Sequence, residues 1–277
     1  MSVGSRNPEI GRRVATGDLT TNYHDVGEGP TVLLMHGSGP GVSAWANWRL
    51  TIAALQDRFR LIAPDFAGFG FTEVPDDIEY TRERWLRQVV DLMDALGIEK
   101  ASVVGNSFGG SMALALAIAH PERVDRLVLM GAVGVPFEIT PGLDAVWGYE
   151  PSLEAMGTLM RETFAYDPGL ITDELVAMRY AASTRPGVQE KFAAMFPAPR
   201  QRWVDAMAHP EAAIRALRHR TLLVHGRDDK VIPVSTTLTM LDWIDDAQAH
   251  LFGRCGHWTQ IEHADAFNRL VGDFLAP

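Results

Sequence analysis

One cysteine, Cys255, occurs in 277 residues, so no internal disulfide can form, and a reducing cytoplasm is the expected home. No apolar run approaches the roughly 20 residues needed to cross a bilayer. The polar stretch from Met1 to Arg13 also lacks the apolar core of a secretory signal. Positive charge is scarce: 25 Lys and Arg stand against 35 Asp and Glu, a formal net charge of −10. Such a field repels nucleic acid and anionic membrane, so neither is an expected partner. It also opposes an anionic substrate unless a cation is placed locally to receive it. Neither H-E-x-x-H nor a paired-cysteine spacing occurs, which excludes the familiar zinc patterns and leaves no metal or cofactor expected. Internal repeats and low-complexity segments are missing too. What remains is a chain with 47% hydrophobic residues, enough for a sizeable globular core.

Short apolar runs bounded by turn residues recur at Val32 to Met35, Leu61 to Ala63, Ala101 to Val104, Arg126 to Met130, Thr221 to Val224 and Ala249 to Phe252. Most are continuous rather than alternating, as in strands buried on both faces of a parallel sheet. Helical patterns lie between them. From Arg82 to Leu96, the residues Trp85, Val89, Leu92, Met93 and Leu96 recur at three- and four-residue spacings. Ser111 to His120 stops before Pro121, and Ala264 to Leu275 closes the chain with one apolar stripe. This alternation predicts an α/β fold with a mostly parallel, doubly wound sheet. It breaks between 137 and 217, where Ser152 to Phe164, Thr172 to Ala182, Val188 to Phe196 and Gln201 to Ala208 read as helices with no strand between them. The expected organisation is a core in two parts, 1–136 and 218–277, with a helical lid at 137–217 inserted over the end of the sheet.

Gly105-Asn106-Ser107-Phe108-Gly109-Gly110 follows a strand and opens a helix. This is the setting of a nucleophile elbow, where small neighbours permit a strained turn that presents the serine hydroxyl. A serine is a poor nucleophile without a general base, itself oriented by an acid. In the α/β-hydrolase fold the acid and then the histidine follow the serine along the chain. The strand from Leu222 ends in Arg227-Asp228-Asp229, where either aspartate could serve as the acid or simply satisfy the turn. Among nine histidines, His257 alone combines a place after the acid, a loop beyond the last strand and a flanking glycine. The turn His36-Gly37-Ser38-Gly39-Pro40-Gly41 follows the strand at Val32. Its backbone N–H groups suit a developing oxyanion, with donors expected from Ser38 and Phe108. The turn lacks the Lys and Ser/Thr of a phosphate loop, and His36 reads as its anchor.

With these segments in place, the chain resembles the meta-cleavage product hydrolases, carbon–carbon bond hydrolases of bacterial aromatic degradation. The likeness is strongest to the branch acting on 2-hydroxymuconic semialdehyde and related monocyclic products. It runs over nearly the whole chain: His36 to Gly41, Trp45 to Arg49, Gly105 to Gly110, Val146 to Tyr149, Met195 to Trp203 and Cys255 to Gln260. The resemblance implies that Asp229 is the acid, with Asp228 in reserve. It implies that Arg179 binds the substrate carboxylate, and that Asn47, Asn106 and Trp258 line a polar subsite. Phe137, Val146, Trp147, Phe164, Met195 and Trp203 are candidates for the apolar subsite. It further implies a small anionic substrate, no cofactor and a homo-oligomer. An ordinary carboxylesterase on the same fold is the alternative, because fold does not fix function. A non-catalytic receptor retaining the pocket is a second one.

Overall fold

The computed structural model describes residues 7–276; residues 1–6, the start of the polar N-terminal stretch, and residue 277 lie outside. The six expected strands are all formed. They are β3 (Thr31–Met35), β4 (Arg60–Pro64), β5 (Ala101–Asn106), β6 (Val124–Met130), β7 (Arg220–Gly226) and β8 (Ala247–Phe252). Two more, β1 (Arg12–Thr16) and β2 (Leu19–Val26), precede them. The eight form one sheet in the order β1-β2-β4-β3-β5-β6-β7-β8. The pairs β1–β2 and β2–β4 are antiparallel, and every other pair is parallel.

Successive residues of β3 feed opposite cores. Leu33 and Met35 join one buried cluster, while Val32 and Leu34 join the other. Burial on both faces is why the strand reads as an unbroken apolar run. Helices Arg82–Ala95 and Phe108–Ala119 cover the first face, and Ala44–Leu55 packs with Ala264–Leu275 over the second. Strand β8 closes the sheet as an exposed edge from Gln248 to Leu251.

Strand β2 is masked in the sequence by polar residues that are nonetheless buried. Asn22 donates to Asp65 Oδ2 at 2.7 Å and to the Glu9 carbonyl at 3.0 Å, and accepts from Gly11 N at 2.9 Å. With its hydrogen bonds made, its burial is tolerated. The helix Ala44–Leu55 is similarly quiet in the sequence, because it turns Leu50 outward and buries Thr51.

Between β6 and β7 the described residues form helices and no strand. Thr140, Ser152 and Thr172 each cap a helix by accepting a backbone N–H three residues on. The run expected from Ser152 to Phe164 is an α-helix, Leu153–Thr158, followed by a π-helical turn, Leu159–Phe164. The last helix of the stretch, Glu211–Arg215, packs on Phe108–Ala119 and on Ser235–Trp243, within the layer that covers the sheet.

Candidate active site

Strand β5 ends at Asn106 and the next helix begins at Phe108, leaving Ser107 alone in the turn with φ 55° and ψ −115°. That conformation is strained for a residue with a Cβ and must be held by its surroundings. Ser107 N donates to the Met130 carbonyl at 2.9 Å, and the Ser107 carbonyl accepts from Val133 N at 3.1 Å. The flanking glycines follow from close approach. A Cβ on Gly105 would collide with the Gly109 carbonyl, and one on Gly109 with the Met35 carbonyl.

Asp229 and Asp228 part company here. Asp229 Oδ2 accepts from His257 Nδ1 at 2.7 Å, while Oδ1 accepts from Val231 N at 2.7 Å and Ile232 N at 3.0 Å. Asp228 faces Arg227 near the surface at 3.4 Å. Burial alone would raise the Asp229 pKa. The charge of His257 and the hydrogen bonds from His225 and His257 outweigh it, and the net direction is downward. A carboxylate at Nδ1 places the His257 proton there and leaves Nε2 as the basic nitrogen. Ser107 and His257 line one cavity. The Ser107 hydroxyl has no hydrogen-bond partner among the described residues, so it is free to meet a ligand or that nitrogen.

The turn after β3 is fixed by His36, which is fully buried. Its Nε2 accepts from Phe66 N at 3.0 Å, so the proton sits on Nδ1, which donates to the Gly37 carbonyl at 2.7 Å. Burial pushes its pKa down to about 4, keeping the ring neutral. Neither Ser38 N–H nor Phe108 N–H has a protein acceptor among the described residues. The Ser38 hydroxyl accepts from Trp147 Nε1 at 2.9 Å.

Asn47, Asn106, Arg179 and Trp258 all line the cavity that holds Ser107. Asn47 Oδ1 accepts from Gly37 N at 3.3 Å, and Asn106 Nδ2 donates to the Met130 carbonyl at 3.4 Å. Arg179 forms no ion pair among the described residues. Its Nη2 donates to the Pro40 carbonyl at 3.3 Å, while its neighbour Asp173 pairs with Arg161 at 2.6 Å. Trp258 stacks on Phe164, centroid to centroid 4.7 Å.

The apolar wall is only partly the expected one. Val146 and Phe164 line it, joined by Leu143, Met156, Met160 and Val231. Trp147 instead stacks on Phe196 at 4.4 Å, and Trp203 donates to the Pro197 carbonyl at 2.8 Å. Phe137 and Met195 pack in the core rather than on the cavity. Two further residues carry no sequence signal. His225, buried at the end of β7, lies 3.2 Å from Asp229 Oδ2 through Nε2. Glu262 accepts from Gly256 N at 2.9 Å and Tyr166 N at 2.7 Å, clasping the His257 loop to the helical stretch.

The α/β-hydrolase fold family matches residues 30–264. The chain is 59% identical over 276 residues to a 2-hydroxymuconate semialdehyde hydrolase of Pseudomonas sp. strain CF600, covering 100% of this chain and 97% of that one. It is 58% identical over 270 residues to a 2-hydroxy-6-oxo-2,4-heptadienoate hydrolase of Pseudomonas putida strain F1, covering 98% of each. Among solved structures, a meta-cleavage product hydrolase from Pseudomonas fluorescens IP01 superposes with a TM-score of 0.96. That protein, a serine-to-alanine mutant complexed with acetates, is 57% identical over 97% of this chain and 98% of its own. Sequence, sheet topology and the Ser107 elbow agree, and the chain belongs to the meta-cleavage product hydrolases of the α/β-hydrolase fold.

Proposed function

We propose that this chain hydrolyses the carbon–carbon bond beside the distal carbonyl of 2-hydroxy-6-oxohexa-2,4-dienoates. Its substrates are 2-hydroxymuconic semialdehyde and short-alkyl analogues, and its products are 2-hydroxypenta-2,4-dienoate and a carboxylic acid. The observation that carries this reading is Arg179, a cation without an ion-pair partner among the described residues, in the wall of the cavity that holds Ser107. A net-acidic protein leaves an arginine so placed for a ligand carboxylate. The relatives' names point the same way.

In this reading Arg179, Asn47, Asn106 and Trp258 hold the carboxylate and enol end of the substrate. Ketonisation moves a proton onto the chain carbon next to the scissile bond, turning the dienoate into an electron sink. Ser107 stands at the distal carbonyl, His257 Nε2 takes and returns its proton, and Asp229 holds the imidazole in its tautomer. The N–H groups of Ser38 and Phe108 receive the oxyanion. Net addition of water puts the hydroxyl on the carbonyl carbon and the proton on the departing dienoate. The segment 137–217 serves as the lid over a core made of 1–136 and 218–277. A cytoplasmic homo-oligomer belongs to the same reading, supported by the single cysteine and the likeness to the family.

The test is bleaching of the yellow ring-fission dienoates, compared with hydrolysis of p-nitrophenyl esters. Rapid bleaching of substrates bearing hydrogen or methyl on the distal carbonyl is expected. Good ester hydrolysis with untouched dienoates would make the protein a carboxylesterase, and tight binding without turnover a receptor.

A further inference from the structure

Behind Arg179 lies a second cavity that the reaction does not use. It shares Val42, Asn47, Met160, Arg179 and Trp258 with the first, so these residues form the wall between the two. Its lining adds the half-buried Arg49, at the surface end, and the buried Gln260. Three unmet hydrogen-bonding capacities converge on this small space.

Arg49 donates to the Ala46 carbonyl at 2.8 Å and has no carboxylate partner among the described residues. Asn47 Nδ2 is buried and has no acceptor among the described residues. Gln260, 1% exposed, commits Nε2 to the Asn47 carbonyl at 3.4 Å, which leaves Oε1 buried without a donor among those residues. The other polar groups nearby are already engaged. Arg185 donates to the Gly70 carbonyl and lies over the Phe71 ring, and Glu9 accepts from the Ser43 hydroxyl at 2.6 Å. The Arg179 guanidinium is pushed below its usual range first by burial, with Arg49 and Arg185 adding repulsion and Glu9 opposing them. Arg49 and Arg179 therefore sit within each other's field, with the carboxylate of Glu9 partly balancing them, so the cavity wall carries net positive charge to offer a ligand anion.

A cation, an N–H donor and a carbonyl acceptor together match one head group. A carboxylate suits the cation and the donor, and an adjacent hydroxyl suits the acceptor. We propose that this cavity is an outer station for the 2-hydroxy-2-enoate head, shared by substrate on its way in and dienoate product on its way out. The carboxylate meets Arg49 and Asn47 Nδ2, and the enol O–H donates to Gln260 Oε1. Arg179, in the partition, passes the carboxylate between the compartments. The inference rests on the dienoate reading of the first cavity.

The test is a steady-state comparison of Arg49→Met, Arg49→Lys and Gln260→Leu on 2-hydroxymuconic semialdehyde and on neutral p-nitrophenyl acetate. A capture site acts before chemistry, so kcat/KM for the dienoate should fall about tenfold in Arg49→Met while kcat stays within about twofold. Arg49→Lys should recover part of the loss, Gln260→Leu should lose less than Arg49→Met, and ester turnover should stay level in all three. Arg49 is half-exposed, so its variants report even if Gln260→Leu does not fold. An unchanged kcat/KM in Arg49→Met overturns the outer station, as does an equal fall on both substrates. Absence of dienoate turnover by the unsubstituted protein overturns the underlying reading as well, which separates the two failures.

Discussion

The two walls of the catalytic cavity are built on opposite plans. On the sheet side, polar groups are held firmly, mostly by the backbone: Asp229 by two N–H groups together with two histidine side chains, His36 by Phe66 and Gly37, Ser107 by Met130 and Val133. On the helical side, the wall is Leu143, Val146, Met156, Met160 and Phe164, with one loosely tied cation, Arg179. Strand ends and tight turns fix angles well, which is what proton transfer needs. Apolar side chains and an unpaired guanidinium fix little by themselves but select shape and charge. In the proposed reading, the sheet side carries the chemistry and the helical side the choice of substrate.

That division can be broken by substitution. Ser107→Ala should cost about 10⁴-fold or more in kcat on every substrate, measured by bleaching of the dienoate. A loss confined to dienoates would take Ser107 out of the common chemistry. Asp229→Asn should approach the same scale, about 10⁴-fold, because the imidazole loses its tautomer. Asp228→Asn should stay within about twofold, since that side chain pairs with Arg227 near the surface. Comparable losses in the two would undo the geometric distinction between them.

Arg179→Ala should lower kcat/KM for the dienoate about 100-fold, the scale of one charged hydrogen bond, and leave a neutral ester within about threefold. Equal losses on both would mean that the helical side does not discriminate by charge.

A further effect is expected on stability. His36, under the turn after β3, and His209, where the helical stretch returns to the sheet, are both held near a pKa of about 4 by burial. An unfolded histidine takes its proton near pH 6.5, so the stabilisation is full above that pH and is lost as pH falls toward 4. Each should cost about 2 kcal/mol of stability by pH 5. Urea unfolding at pH 7.5 and pH 5 measures the loss, and His209→Gln should shrink it. An undiminished loss in that variant would assign the whole effect elsewhere.

The parallel strands, the elbow, His257 and the all-helical stretch were legible because each leaves a local trace: an apolar run, a glycine spacing, a flanked histidine or a 3.6-residue period. Strand β2 was not, because the polarity of Asn22 is offset by partners far along the chain, such as Asp65. The choice between Asp228 and Asp229 is likewise a matter of which carboxylate the turn rotates inward, and adjacent identical residues carry no mark of that. The apolar wall was legible only at Val146 and Phe164. Any apolar helix residue must bury itself, and only the packing decides that Leu143 and Met160 face the cavity while Trp147 stacks on Phe196. His225 gave no sign, since its service to Asp229 depends on the bend after β7.

The π-helical turn Leu159–Phe164 ends on a carbonyl that accepts from His257 N at 2.7 Å, and a Cβ on Gly256 would collide with that same carbonyl. The turn and the His257 loop are thus tied directly through the backbone, beside the clasp that Glu262 makes. The backbone of His257 is therefore expected to move with this turn rather than with the sheet. Such a coupling has an amide-exchange signature: His257 N–H should exchange in step with the Leu159–Phe164 amides and faster than the strand amides of β7. Exchange at the β7 rate would show the two segments moving independently.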